Sequence, residues 1–137
     1  MNTDNETLVR QFYAVFNTGN INFLDQVLSP DWIEYPLSVP DQAPGRDGFK
    51  PIVESFCTVF PDIQFVNEDI IAAGDKFTVR SLVTATHSGR FLGIESTGRR
   101  VQFNTIDIHR IANGQIVETW HIEDFYGLLQ QLKAPEE

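Results

Sequence analysis

The fold is decided by residues 107–132, which read DIHRIANGQIVETWHIEDFYGLLQQL. The dipeptide Asn113-Gly114 is a strong hairpin signal, because both residue types tolerate the left-handed backbone of a two-residue turn. Apolar and polar residues flank it in the mixed pattern of two strands. Leucines then recur at helical spacing after Asp124. The stretch therefore predicts an antiparallel hairpin followed by a short C-terminal helix.

The rest of the chain also shows patterns that predict helices and strands. Three segments upstream have apolar residues at helical spacing, and they end near Thr18, near Leu28 and at Phe60. A short strand is expected at Trp32–Tyr35, and the proline-rich residues 36–45 are expected to form a surface loop or lid. Extended runs cover residues 63–73, 76–91, 100–112 and 115–122. Helices followed by an antiparallel sheet predict one α+β domain that spans residues 1–137.

The composition narrows the partners that the chain can bind. Its 10 Lys and Arg against 19 Asp and Glu give a net charge of −9, which repels phosphate groups and argues against nucleic acid and membrane surfaces. The polar N-terminus does not read as a signal peptide, so we expect a cytoplasmic protein. The single Cys57 excludes an intramolecular disulfide, and the three histidines lack zinc-protease spacing. We therefore expect no metal site and no cofactor.

The hairpin turn sets a register for the side chains of its two strands. A two-residue turn predicts that one face carries the pairs His109 with Glu118, Asp107 with Trp120, Thr105 with Ile122, and Phe103 with Asp124. The other face then carries Ile106, Ile108, Val117, Thr119 and His121. A bulge in either strand would shift this register.

Asp124 is the first candidate for a catalytic base. Beside Phe103 and Trp120 its carboxylate would be desolvated, and desolvation raises a carboxyl pKa toward the range useful for proton transfer. Asp124 also directly precedes the closing helix, where aspartate is a preferred N-cap. Asp107 and His109 are candidates on the same face, and from the residues alone each of these roles stays open.

Several segments together resemble the SnoaL-like polyketide cyclases of the nuclear-transport-factor-two-like superfamily, which also holds ketosteroid isomerases and limonene epoxide hydrolases. The segments are RQFYAVFNTGNINFLDQVLSPDWIEY (residues 10–35), FPD (60–62), THSGRFLGIESTGRRVQF (86–103) and residues 107–132. The resemblance implies a cone-like fold, in which three N-terminal helices close a curved antiparallel sheet around a pocket. It also implies a homodimer that forms across the outer face of the sheet.

The resemblance also bears on individual residues. It implies that Asp124 is the general acid/base and that His109 approximates a pocket histidine of the family. The expected substrate-binding residues are Tyr13, Trp32, Tyr35, Phe103, Asp107 and Trp120, and the 11 Phe in the chain are consistent with aromatic walls around the pocket.

Three functions remain open from the sequence. The first is a cofactor-independent cyclase or isomerase that removes a proton α to a carbonyl of an apolar small molecule. The second is a non-enzymatic small-molecule binding or dimerisation module. The third is an epoxide hydrolase, which would need Asp107 and Asp124 as paired acids with Arg80 between them.

Overall fold

The computed structural model describes residues 2–135, with side chains from Asp4 onward. Helix α1 spans Asn2–Thr18, and a 3₁₀ turn at Ile21–Phe23 leads into the short helix α2, Leu24–Val27. The remaining elements are β1 (Leu28–Tyr35), α3 (Gly45–Val59), β2 (Gln64–Ala73), β3 (Lys76–Thr86), β4 (Arg100–Ala112), β5 (Gln115–Glu123) and α4 (Phe125–Lys133). No helix within the described residues is long and apolar enough to cross a membrane. The expected α+β order of helices before sheet, with a closing helix, is confirmed.

The sheet has five strands in the order β1-β5-β4-β3-β2, and it is open at β1 and β2. The pairs formed by β2, β3, β4 and β5 are antiparallel, as expected. Strand β1 instead pairs with β5 in parallel. The expectation of a wholly antiparallel sheet is therefore wrong at this edge, because the long connection between β1 and β5 imposes no hairpin geometry on them.

The hairpin of β4 and β5 contains a bulge that changes which side chains share a face. Asn113 and Gly114 have positive φ values of 53° and 75°, and Ala112 pairs with Gln115, as the turn predicts. The register then shifts between Arg110 and Ile111, so that Asp107 lies opposite His121 instead of Trp120. Because side chains alternate along a strand, one extra residue on β5 reverses its faces for every later position.

The helices pack on one face of the sheet and enclose the core. Phe12, Tyr13 and Phe16 of α1 meet Phe49 of α3 in a network of ring contacts at 5.1–6.4 Å between centroids. The opposite face of the sheet carries exposed apolar side chains, among which Ile122 is 76% exposed. An enclosed site is therefore expected on the helix-covered face.

Candidate active site

A cavity of about 440 Å³ lies between the sheet and helices α1 and α3. This is within the usual size range of pockets for drug-sized organic molecules. Most of its wall is apolar, and aromatic rings form much of it, among them Phe12, Phe16, Phe49, Phe56, Phe91 and Phe125. Its polar groups come mainly from β1, β4 and β5, so one end of the cavity is polar and the rest is apolar.

A chain of hydrogen bonds joins five buried side chains at the polar end. Trp32 Nε1 donates to Thr119 Oγ1 at 3.0 Å, and that oxygen lies 2.9 Å from His109 Nδ1. His109 Nε2 lies 2.8 Å from Tyr13 Oη, and the Tyr13 hydroxyl donates to Asp107 Oδ2 at 2.6 Å. The chain therefore runs from Trp32 to the carboxyl of Asp107.

Burial sets the charge states in this chain. It raises the pKa of Asp107 to about 7, although the Tyr13 hydrogen bond opposes the shift. It lowers the pKa of His109 to about 3, so the imidazole is neutral. It also raises the pKa of Tyr13 well above its usual range. Asp107 is therefore the member of the chain that titrates near neutral pH.

The direction of the protons follows from these charge states. An ionised Asp107 can only accept, so the Tyr13 hydroxyl donates the hydrogen bond to the carboxylate. The Tyr13 oxygen then accepts from His109 Nε2–H, and the neutral ring leaves Nδ1 to accept from the Thr119 hydroxyl. Every donor in the chain is used when Asp107 is ionised, which holds its carboxylate in one position.

A second polar cluster lies beside the first. His121 Nδ1 lies 2.6 Å from Glu123 Oε2, and His121 Nε2 lies 2.9 Å from Glu34 Oε2. Burial alone would lower the pKa of His121, but the hydrogen bonds to Glu123 and Glu34 outweigh it and raise the pKa to about 10. Burial likewise opposes the hydrogen bonds from His121, Ser38 and Gln42 to Glu34, yet these bonds hold the pKa of Glu34 below its ordinary value. The cluster is therefore a cation between two carboxylates.

The structure brings together five of the residues that the sequence assigned to the pocket. Tyr13, Trp32, Phe103 and Asp107 line the cavity, and His109 lies fully buried beside Tyr13. Their positions on α1, β1 and β4 do not depend on the register of β5.

Tyr35 and Trp120 lie on the outer face of the sheet instead. Their rings stack at 5.2 Å, and the Tyr35 hydroxyl donates to Glu118. These two rings were expected to contact a substrate, but they lie on the face of the sheet away from the cavity. For Trp120 the cause is the bulge, and Tyr35 alternates with the inward-facing Glu34 on β1.

Asp124 also lies outside the cavity wall. Its side chain is exposed and accepts a hydrogen bond from the Gly127 backbone N–H at 2.9 Å, as an N-cap of α4. The hydrogen bond of Asp124 is thus the one expected of a helix N-cap. The arrangement for an epoxide hydrolase is not assembled either, because Arg80 pairs with Asp69 and Glu68 on the surface.

Other polar residues of the cavity wall are not assigned to the pocket by the sequence, among them Glu34, Thr119, His121 and Glu123. The predicted register places Thr119 and His121 on the opposite face of the hairpin. Alternation from Thr119 through His121 to Glu123 was the available signal, since three polar side chains recur at every second position.

This geometry defines an α+β small-molecule pocket protein with titratable groups at one end of an apolar cavity. The chain belongs to the SnoaL-like polyketide cyclase family, whose family model matches residues 6–132. This confirms the resemblance noted in the sequence.

Individual relatives agree with the family assignment. The chain is 27% identical over 123 residues to nogalonic acid methyl ester cyclase of Streptomyces nogalater, covering 89% of this chain and 92% of the relative. It is similar to the structure of TsrD from Streptomyces laurentii, with a TM-score of 0.89, 27% identity and 98% of each chain covered. It is also similar to IdmH from Streptomyces antibioticus, with a TM-score of 0.79, 28% identity, and 93% and 96% of the two chains covered.

Proposed function

We propose that this protein is a cofactor-independent cyclase or isomerase in which Asp107 removes a proton α to a carbonyl. The observation that supports this most is the Asp107 carboxyl itself, which lines an apolar cavity and has its pKa raised by burial to about 7. A general base works best when its pKa is near the operating pH. Asp107 thus replaces Asp124 as the proposed base.

The proposed reaction is an isomerisation overall. Asp107 takes the α proton, and the electrons of that C–H bond form an enolate. In a cyclisation the enolate carbon attacks a second carbonyl of the same molecule, a C–C bond forms, and the new alkoxide takes up the proton from Asp107. In a simple isomerisation Asp107 returns the proton to another carbon. Neither course needs an oxidant or a reductant.

The cavity supports an apolar ring compound as substrate. Its aromatic walls suit a flat hydrophobic body, and its polar end suits one oxygenated edge. A wholly apolar or filled cavity would have favoured the non-enzymatic binding module. Nogalonic acid methyl ester, the compound named for the Streptomyces nogalater relative, is a first substrate to test.

The test compares Asp107→Asn with Asp124→Asn. The probe is β-tetralone, a bicyclic ketone whose α protons exchange measurably in heavy water, and proton NMR follows the exchange. Asp107→Asn should slow the protein-catalysed exchange by about 100- to 10,000-fold, the usual contribution of general acid–base catalysis. The variant should still bind β-tetralone, because the Asn oxygen can still accept from Tyr13.

Asp124→Asn is the matched control. Asn caps a helix about as well as Asp, so this variant should melt near the wild type and keep its exchange rate. Loss of exchange in Asp124→Asn with full exchange in Asp107→Asn would contradict the proposal and return the base to Asp124.

We also propose that the protein is a homodimer formed across the outer face of the sheet. Ile33, Ile106 and Ile122 are 48%, 49% and 76% exposed on that face, and Ile106 pairs with Ile122 across β4 and β5. The dimer would leave the cavity on the opposite face accessible.

A further inference from the structure

The hydroxyl of Thr105 has no hydrogen-bond partner among the described residues, although it is buried. Thr105 is 3% exposed, lines the cavity and lies on β4 two positions before Asp107. Burying a hydroxyl without a partner costs free energy, and a valine of the same shape would avoid that cost.

Neighbouring hydroxyl groups on the same face of the sheet are satisfied. Ser81, which pairs with Thr105 across β3 and β4, donates to Asn67 Oδ1 at 2.9 Å. Thr119 lies between Trp32 and His109 in the hydrogen-bond chain. Thr105 therefore differs from both, because it lines the cavity and its buried hydroxyl has no partner among the described residues.

The chemistry around Thr105 indicates what the partner would be. Two carboxyls lie next to Thr105 on the same face, with Asp107 two positions further along β4 and Glu123 opposite Thr105 on β5. Within the described residues, the donors of Tyr13 and His121 at this end are already used. A ligand oxygen that can only accept, such as a carbonyl, would thus find its donor at Thr105.

We propose that the Thr105 hydroxyl donates a hydrogen bond to the carbonyl oxygen of a ring ketone in this cavity and thereby selects ketones over hydrocarbons of the same shape. The spacing suits this role. Two residues along a strand lie about 6.6 Å apart on the same face, so one small ketone can contact both Thr105 and Asp107. The α carbon then lies at Asp107, a placement that rests on the proposed function.

The test measures the preference for β-tetralone over tetralin, its hydrocarbon counterpart, by titration calorimetry. One net hydrogen bond corresponds to about a fivefold difference in affinity. We therefore expect the wild type to bind β-tetralone about five times more tightly than tetralin. Thr105→Val should bind the two compounds with equal affinity, and it should bind tetralin at least as tightly as the wild type does. Thr105→Ser, which keeps the hydroxyl, should retain the preference.

Two controls keep the test specific. Thr105→Val should melt at or above the wild-type temperature, because its hydroxyl has no protein partner to lose. Thr78→Val lies on the opposite face of β3 and should leave the preference unchanged. A preference that survives Thr105→Val, a drop in its melting temperature, or failure of the wild type to bind either probe would overturn the proposal.

Failure of the proposed function has a different signature. If Asp107 is not the base, Asp107→Asn keeps its proton exchange while the preference for β-tetralone still depends on Thr105. If Thr105 is not the donor, the preference is unaffected by Thr105→Val while Asp107→Asn still loses exchange.

Discussion

Tyr13 controls how readily Asp107 ionises, because its hydroxyl donates to Asp107 Oδ2 at 2.6 Å. This hydrogen bond favours the carboxylate and so lowers the pKa of Asp107 against the opposing effect of burial. The same hydroxyl accepts from His109, which links the base to the rest of the buried chain. The Tyr13 hydroxyl therefore favours the ionised form of Asp107 and also gives the N–H of the neutral His109 ring a hydrogen-bond partner.

Tyr13→Phe should therefore move the pH profile. Without the hydrogen bond the pKa of Asp107 rises above about 7, so the acid limb of β-tetralone exchange should shift to higher pH. The variant should also lose about 1–3 kcal/mol of stability in urea unfolding, because His109 Nε2–H is left unpartnered. An acid limb that stays in place would contradict the assigned role of Tyr13.

At the scale of elements, the bulge on β5 separates what the sequence could predict from what it could not. The turn at Asn113-Gly114 and the inward face of β4 follow from local chemistry, so Phe103 and Asp107 were placed on the cavity. Ile116 and Val117 are both apolar and β-branched, so neither identifies itself as the extra residue of a bulge. Trp120 and Asp124 were consequently assigned to the wrong face, and His121 was missed.

The loop between β1 and α3, residues 36–44, is held by the His121 cluster. His121 Nε2 lies 2.7 Å from the Pro36 carbonyl oxygen, and Glu34 accepts from Ser38 and Gln42 at 2.6 and 2.7 Å. Leu37 and Val39 of this loop line the cavity. The charge on His121 therefore stabilises a segment that covers the site.

The stabilisation from His121 should depend on pH in one direction. Its pKa in the folded protein, about 10, is above the ordinary value of 6.5, so its contribution is complete below about pH 6.5 and is lost as the pH rises through about 10. The melting temperature of the wild type should exceed that of His121→Gln most at the low end of this range, and the difference should shrink toward pH 10.

Tyr35→Phe is the control for that series. It removes a hydrogen bond to Glu118 on the outer face and leaves the His121 cluster intact. Its melting difference from the wild type should not follow the His121→Gln curve. Hydrogen exchange of residues 36–44 should be faster in His121→Gln and unchanged in Tyr35→Phe, and equal exchange in both variants would contradict the proposed link to the loop.

At the scale of the whole molecule, the order of elements was predictable and one strand direction was not. Helical periodicity before residue 61 and extended runs after it define the α+β class. The parallel pairing of β1 with β5 joins segments that are far apart in the chain, and no local pattern encodes it. The cavity likewise depends on packing among α1, α3 and the sheet.

The net charge of −9 opposes association of two copies, while the apolar outer face favours it. A stable interface buries about 800 Å² per partner, and the exposed isoleucines on β1, β4 and β5 all lie on the outer face of the sheet. Salt screens the repulsion and leaves the apolar contact largely intact, so dimerisation should strengthen with ionic strength.

Ile122→Glu should therefore convert the protein to a monomer in sedimentation velocity at micromolar concentration. The substitution places a charge at the most exposed of these isoleucines, where burial in an interface would leave it desolvated and unpaired. Leu92→Glu, at a residue 41% exposed in the loop after β3, should remain dimeric and show that added charge alone is not the cause. Ile122→Glu should bind β-tetralone as the wild type does, because the cavity is on the other face of the sheet. A monomeric wild type at physiological salt would refute the dimer without affecting the assignment of Asp107 or Thr105.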